Sequence, residues 1–422
     1  MNERPGVIRV GNIEIVMMPP IVVEGDSMSL EEGIPSGLPQ ALIRALRGMF
    51  GEAPQNLDFG SAHFLYCAHC PVPEDIWEQQ AEKIRSQPKE SYVGKTHLRD
   101  FFNNILQRET TLDMNRFNLH AFPGPTRNAL IHLFKHQANK PKGAIALPIP
   151  NWHFWAMNEC EPELRANPIR FEYFEALNED QLAQGFEKIA RQGKVGSLVL
   201  VDPANPLMYH ISESALKQID ATAQKYGIDI IVDDVLRGTR PMQDRNSIGS
   251  KLTRPFVVEG LSKRLGDEPA GVYSYILSPK DSNLPDLAIP QSSSYLAGDI
   301  LTLFYEHASQ HALNELRLRN AAFDEGLTCT APMATVSRPF PSSLTSVVQV
   351  NNNGFDALKF AEHAHYQKQI DVIPFQAFCP NGYNLPKPLT DRFRITVGRT
   401  NLRDMHSAAT KLGEAISEYR VD

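Results

Sequence analysis

Between residues 117 and 258 the chain alternates short unbroken apolar runs with segments whose apolar residues recur at helical spacing. Residues 144–147, 197–201, 228–232 and 256–258 are continuous apolar or β-branched runs, as expected of strands covered on both faces. Residues 178–191 set Leu182, Phe186, Ile189 and Ala190 on one helical stripe, and residues 212–226 form a second helix with Ser212 as cap and Gly227 as stop. Strand and helix in alternation predict right-handed βαβ units. The expected fold class is therefore α/β, with a large domain built on a mainly parallel sheet sandwiched by helices. Ligands in such sheets bind at the carboxyl ends of strands, so chemistry is sought there.

The flanking regions have a different texture. Residues 1–51 read as an arm followed by a helix over 38–50, with Pro19 and Pro20 breaking regular structure and a turn over 33–37. Residues 71–84 open on prolines and continue with Ile76, Trp77, Ala81 and Ile84; residues 91–106 put Leu98, Phe101, Phe102 and Ile105 on one face. After Gln291 a long helix over 295–327 leads away from the sheet. Strands over 344–350 and 392–397 then surround a helix over 354–369, as in a smaller α+β unit. The expected division is an N-terminal arm and part of the small domain over 1–60, a large domain over 61–310 and a C-terminal small domain over 311–422.

Composition narrows the function classes. With 422 residues, 42% of them hydrophobic and 22% charged, the chain can bury a large core and is neither a disordered nor a fibrous type. A net charge of -7 and the lack of a dense basic cluster argue against nucleic acid as a partner. No apolar run reaches the length of a signal core or a membrane span, so the expectation is a cytoplasmic protein. Five cysteines, Cys67, Cys70, Cys160, Cys329 and Cys379, are scattered and read as reduced thiols. Cys67 and Cys70 with His63 and His69 suggest a zinc or redox site, but a second ligand pair at metal-site spacing is missing, which favours packed cysteines.

Residues 257–275, VVEGLSKRLGDEPAGVYSY, carry the central feature. Lys263 follows the apolar pair Val257 and Val258 and stands beside Ser262, with glycines at 260, 266 and 271. A lysine at a strand end that sheds part of its hydration has a lowered pKa and a nucleophilic amine, as Schiff-base chemistry requires. The plain alternative is a solvated loop lysine, and four other strand ends shift the balance away from it. In FPGPTRNALIHLF, Gly124 and Pro125 open a helix whose free amides, with the Thr126 hydroxyl, make a phosphate cradle. In PIPNWHFW, Trp152 offers a flat face for a planar ring, although a core role is equally open to it. In DPANP, Asn205 can donate to a ring oxygen, and a plain turn is the alternative. Asp233 ends an apolar strand and needs a partner, which a protonated pyridine nitrogen would be.

These features together make a pyridoxal 5'-phosphate site, and their order and spacing resemble the class I/II aminotransferases, fold-type I pyridoxal-phosphate enzymes. The resemblance runs from the helix at Pro71 to Arg394, and is most specific in the series Asn205, Asp233, Lys263 and in RFRITVG over 392–398. It implies Lys263 as the Schiff-base lysine and proton shuttle, Asp233 on the ring nitrogen, Asn205 on the ring hydroxyl and Trp152 stacked on the ring. Pro125, Thr126 and Ser262 would face the phosphate. Arg394 would hold the substrate α-carboxylate; strand alternation alone allows Arg392 equally, and the family match selects Arg394. Tyr92 matches a tyrosine lent across a dimer interface to the neighbour's phosphate, and Ser292 is a second such candidate, so the implied assembly is a homodimer.

The chain also departs from the family pattern. Leu236 stands where a tyrosine usually bonds the ring oxygen, and Met208 where the N-P-x-G turn has its glycine. The phosphate-binding arginine expected after the lysine is missing: the region reads Gly271, Val272, Tyr273, and only Arg264 is near, so Arg264 or a residue from elsewhere must neutralise the phosphate. The expected activity is that of an aminotransferase-like enzyme on an α-amino acid. The alternative is elimination, replacement, cyclisation or oxidation from the same first step. A non-catalytic regulator is disfavoured because no basic helix-turn-helix precedes the fold. A nicotinamide dehydrogenase is disfavoured because no G-x-G-x-x-G follows a strand.

Overall fold

A computed structural model describes residues 6–10, 13–17, 57–58, 96–123, 125–152, 154, 157–160, 162–265, 273–285, 291–380 and 383–419. In chain order its main elements are β1 (Gly6–Val10), β2 (Ile13–Met17), β3 (Leu57–Asp58), α1 (Thr96–Glu109), β4 (Phe117–Pro123), α2 (Thr126–Ala138), β5 (Ala144–Ile149) and β6 (Phe171–Glu175). Next come α3 (Glu179–Ala190), β7 (Val195–Val201), α4 (Glu213–Tyr226), β8 (Asp229–Asp233), β9 (Pro255–Gly260), the short α5 (Ser262–Leu265), β10 (Tyr273–Pro279) and the long α6 (Gln291–Thr330). The C-terminal part contains β11 (Ala334–Ser337), β12 (Thr345–Val350), α7 (Ala357–His363), β13 (Ile370–Asp371), β14 (Ile373–Pro374), β15 (Arg392–Thr396) and α8 (Leu402–Glu418).

The four apolar runs become β5, β7, β8 and β9 of a seven-stranded sheet with order β4-β10-β9-β8-β7-β5-β6. Strands β9, β8, β7, β5 and β6 are parallel, and β10 runs antiparallel to both β4 and β9. Side-chain alternation divides these strands between two cores. Ala146, Leu198, Leu200, Ile230, Val232 and Val257 pack with α3 and α4, whereas Ile145, Leu147, Val199, Val201, Ile231 and Val258 pack with α2 on the other face. The helix ends agree with their sequence signals. Asn178 accepts from the Gln181 amide, Ser212 from the Ala215 amide, and Gly227 takes a φ of 63° at the end of α4.

The smaller unit is a four-stranded sheet of order β11-β12-β15-β14, with each pair antiparallel. Sequence periodicity located β12 and β15 there and not β11 or β14, which are short and half-exposed or only two residues long. The helix expected over 354–369 is α7, continued by a wider turn over Ala364–Lys368. The strand β3 pairs in parallel with β13, tying residues 57–58 to this part of the chain. The helices expected over 38–50 and 71–84 lie outside the described residues, as do Cys67, Cys70, His63 and His69. Among the described residues no cluster of His, Cys, Asp and Glu could hold a metal ion, and no helix is long and apolar enough to cross a membrane.

Candidate active site

The alternation that fills the two cores also determines what faces the strand ends. Asp233 is the last residue of β8, paired in register with Val201 on one side and Val258 on the other, and both valines point to the α2 face. Asp233 is buried, and its Oδ1 accepts from the Val235 amide at 3.1 Å. Burial pushes its carboxyl up to about 7; the Val235 amide pulls the other way, Asp234 and Glu259 add to the rise, and the Lys263 charge opposes it. Lys263 is half-buried on α5, directly after β9, within electrostatic reach of Asp233.

Beside these two lies the start of α2. Its cap residue, Pro125, supplies no side-chain hydrogen bond, which leaves the first amides uncapped. Thr126 is 5% exposed, and its Oγ1 has no hydrogen-bond partner among the described residues. A Cβ on Gly260 would stand 2.2 Å from that oxygen, so the end of β9 and the start of α2 touch only because residue 260 is a glycine. A buried hydroxyl without a partner, at an uncapped helix start on the Asp233 face, fits a phosphate group.

A chain of contacts closes the other side. Arg394 Nη1 donates to Asn205 Oδ1 at 3.4 Å, and the guanidinium lies 4.9 Å from the centre of the Phe378 ring. The Phe378 carbonyl accepts from the Asn151 amide at 3.0 Å, and Asn151 Oδ1 accepts from the Trp152 amide at 2.7 Å. The half-buried indole of Trp152 meets Phe154 edge-on at 5.2 Å. Arg394 is buried at 3% exposure, whereas Arg392 is half-buried with its Nε 3.8 Å from Asp391. Of the two arginines that alternation leaves open, Arg394 is the one that meets Asn205.

Asn205 is held by a tightly folded loop between β7 and α4. Asp202 anchors it: burial alone would raise this carboxyl, but His210, the Arg240 guanidinium and the Ile211 amide outweigh that and hold it below the usual carboxylate range.

Arg264 requires a correction. Offered by the sequence as a phosphate partner, it is 2% exposed, and its guanidinium donates to Glu109 Oε2 at 2.9 Å, Glu259 Oε1 at 2.5 Å and the Tyr305 hydroxyl at 2.6 Å. Glu259 sits between Val258 and Gly260 in β9 and therefore points to the opposite face from them, where Tyr275 also lies. The charge of Arg264 is thus taken up on the far side of the sheet from Thr126. Ser262 opens α5 and Ser292 lies in the first turn of α6, while Tyr92 is outside the described residues. Leu236 is buried at 4% exposure and places no hydroxyl near Asp233.

The sequence reading missed the cluster that holds Arg264. Glu109 of α1 accepts from Arg245 at 2.7 Å and from Arg237 at 3.3 Å as well, Arg237 also pairs with Glu259, and its Nε lies 3.6 Å from Asp234. The available signal was Glu259 itself, a carboxylate inside a wholly buried strand that demands a cation.

No protein-family model matches the sequence, and no curated protein matches it at a significant level. Solved structures do match. A multiple substrate aminotransferase from Thermococcus profundus is 15% identical, with a TM-score of 0.67 over 93% of this chain and 99% of that one. A Pyrococcus horikoshii kynurenine aminotransferase, solved with PMP, is 15% identical, with a TM-score of 0.68 over 94% of this chain and 98% of that one. A PLP-bound C-S lyase from Staphylococcus hominis is 14% identical, with a TM-score of 0.64 over 87% and 95%. The chain therefore has the fold of the aminotransferase-like, fold-type I pyridoxal-phosphate enzymes.

Proposed function

We propose that this chain is a pyridoxal-phosphate-dependent enzyme acting on an α-amino acid, most simply an aminotransferase. The observation that carries the reading is a buried strand-end carboxyl, Asp233, within electrostatic reach of Lys263 and beside an uncapped helix start whose Thr126 hydroxyl has no partner among the described residues. The three solved neighbours, two aminotransferases and a C-S lyase, support it.

When bound, the cofactor supplies an electron sink for the negative charge formed at the substrate Cα. The protein's part is binding, orientation and proton handling. Lys263 is the amine that would hold the cofactor, and its Nζ would serve as the base that takes the proton from the substrate Cα. Asp233, in its charged form, would hold a protonated ring nitrogen. Asn205 bonds the ring oxygen, Trp152 covers the ring face, and Pro125 and Thr126 with the α2 amides bind the phosphate, to which Ser262 is adjacent. Arg394 grips the substrate carboxylate with its planar fork.

The second reading starts from the same proton removal and ends in elimination, replacement, cyclisation or oxidation. Leu236 favours it, because no hydroxyl from this position steadies the ring oxygen during transamination. Incubating the cofactor-loaded protein with a panel of amino acids, with and without 2-oxoglutarate or pyruvate, decides between them by mass spectrometry of the products. A keto acid formed only with a keto acid co-substrate supports transamination; products formed without one support the second reading, and no product from any amino acid argues against both.

Arg394→Lys keeps a charge and loses the fork, so amino-acid binding should weaken by about 1.5 to 3 kcal/mol while bound cofactor is untouched. Titrating the cofactor absorbance with substrate checks this. Wild-type affinity in Arg394→Lys together with weak binding in Arg392→Lys would move the clamp to Arg392.

We also propose a homodimer, with Tyr92 and Ser292 reaching the partner's phosphate site and closed twofold pairing. Light scattering should give twice the chain mass of 47.3 kDa, and a fully active monomer would contradict it. A cytoplasmic setting, in which Cys329 and the buried Cys379 would stay reduced, is part of the same proposal.

A further inference from the structure

The loop between β7 and α4 contains a residue in a conformation that side chains avoid. Met208 has a φ of 59°, in the left-handed region where a Cβ crowds the backbone and glycine is favoured. Its side chain is nevertheless buried at 6% exposure, in a small apolar cluster with Val347, Phe375, Cys379, Leu385 and Leu389. All five lie in the C-terminal part of the chain. The Thr345 hydroxyl, on the same β12, donates to Met208 Sδ at 3.2 Å.

That cluster is adjacent to the substrate arginine. Val347 of β12 is the register partner of Arg394 on β15. Three residues before Met208, Asn205 accepts its hydrogen bond from Arg394. One short loop of the large sheet thus meets the Arg394 sheet twice, through an apolar plug and through a polar contact. The loop is also closed on itself: Met208 N donates to Ala204 O at 2.5 Å, and Ala204 N donates to Tyr209 O at 2.9 Å. Asn205 and Met208 therefore lie within one closed turn. Glycine would satisfy the backbone at 208 without strain, whereas methionine strains it and gains contact with β12.

We infer that Met208 is a positioning residue, whose side chain fastens the loop bearing Asn205 to the sheet bearing Arg394 and keeps the ring contact and the carboxylate contact at a fixed separation. This deepens the proposed function and rests on it for the roles of Asn205 and Arg394. The fastening itself does not depend on any cofactor.

Two variants separate the side chain from the backbone. Met208→Gly keeps the left-handed turn and removes the plug; Met208→Leu keeps an apolar side chain of similar volume under the same backbone strain. In the cofactor-free protein, Met208→Gly should speed amide hydrogen exchange over residues 204–209 and 392–396 together, leave the α3 amides unchanged, and be restored by leucine. In the cofactor-loaded protein, Met208→Gly should raise the Kd for an amino acid roughly tenfold and leave the Kd for the matching amine without a carboxylate unchanged. Equal weakening of both ligands would mean a merely structural role and overturn the inference, as would unchanged exchange at both segments. If the wild type binds no pyridoxal phosphate, the exchange measurement still decides the role of Met208 and only the functional reading falls.

Discussion

Asp233→Asn is expected to stabilise the cofactor-free protein at pH 8 by about 4 kcal/mol while weakening its hold on pyridoxal phosphate. Burial raises this carboxyl from 3.8 to about 7. The folded protein therefore keeps a proton that the unfolded chain releases, and stability from this group is complete below about pH 4. It falls as pH rises from about 4 to about 7 and stays lost above that, because the folded state binds more protons across the window. Asparagine keeps the oxygen that accepts from Val235 and removes the titration. Melting curves of the two proteins should coincide near pH 4 and separate by pH 8, with the variant higher. Parallel curves across this range would show that Asp233 is not the buried acid described here. Loss of cofactor affinity in the more stable variant is the expected counterpart, since an amide cannot hold a ring nitrogen in its charged form.

Glu109→Ala is expected to destabilise the fold by about 3 to 5 kcal/mol, the range for breaking a buried ion cluster from one side. Glu109 receives Arg237, Arg245 and Arg264, with the Tyr305 hydroxyl as a fourth donor, and all of these are buried. Arg245 is the weakest member. Burial and then the neighbouring Arg264 lower its proton affinity to about 10, and Glu109 is the main opposing influence. Without the carboxylate, three guanidiniums share Glu259 and Asp234 in a region closed to water. Arg264 follows Lys263 directly, so the loss should also loosen α5. Chemical denaturation measures the effect, and pairing Glu109→Ala with Arg245→Met should recover part of it, because an unpaired buried cation is removed. A loss below about 1 kcal/mol would mean that the cluster is open to solvent.

Much of the large sheet was legible because its parallel strands are buried on both faces and so read as unbroken apolar runs. The strands β4, β6 and β10 were not, for different reasons. The edge strand β4 interrupts its apolar residues with Asn118 and His120, the edge strand β6 has two of its five residues exposed and mixes Glu with Phe and Tyr, and β10 carries serines and tyrosines whose polar atoms are satisfied within the fold. Asp233, Lys263 and Thr126 could be singled out as candidates because each sits at the junction of a strand or helix, where the local pattern itself marks the boundary. Alternation could not choose between Arg392 and Arg394, since both share a face; contact with Asn205 distinguishes them. Arg264 was misread because sequence shows that a cation is near Lys263 but not on which side of the sheet it lies. Its partners come from α1, β9 and α6, with Glu109 and Tyr305 separated from it by 155 and 41 positions, distances over which no periodicity is visible.

Lys263 is expected to carry the cofactor, and mapping the reduced adduct tests this directly. The protein is loaded with pyridoxal phosphate, reduced with borohydride, digested and mapped by mass spectrometry. The expected result is a yellow protein that loses its colour on reduction and yields the pyridoxyl mass on the peptide containing Lys263. Recovery of unmodified Lys263 peptide from fully reduced, cofactor-loaded protein would contradict it.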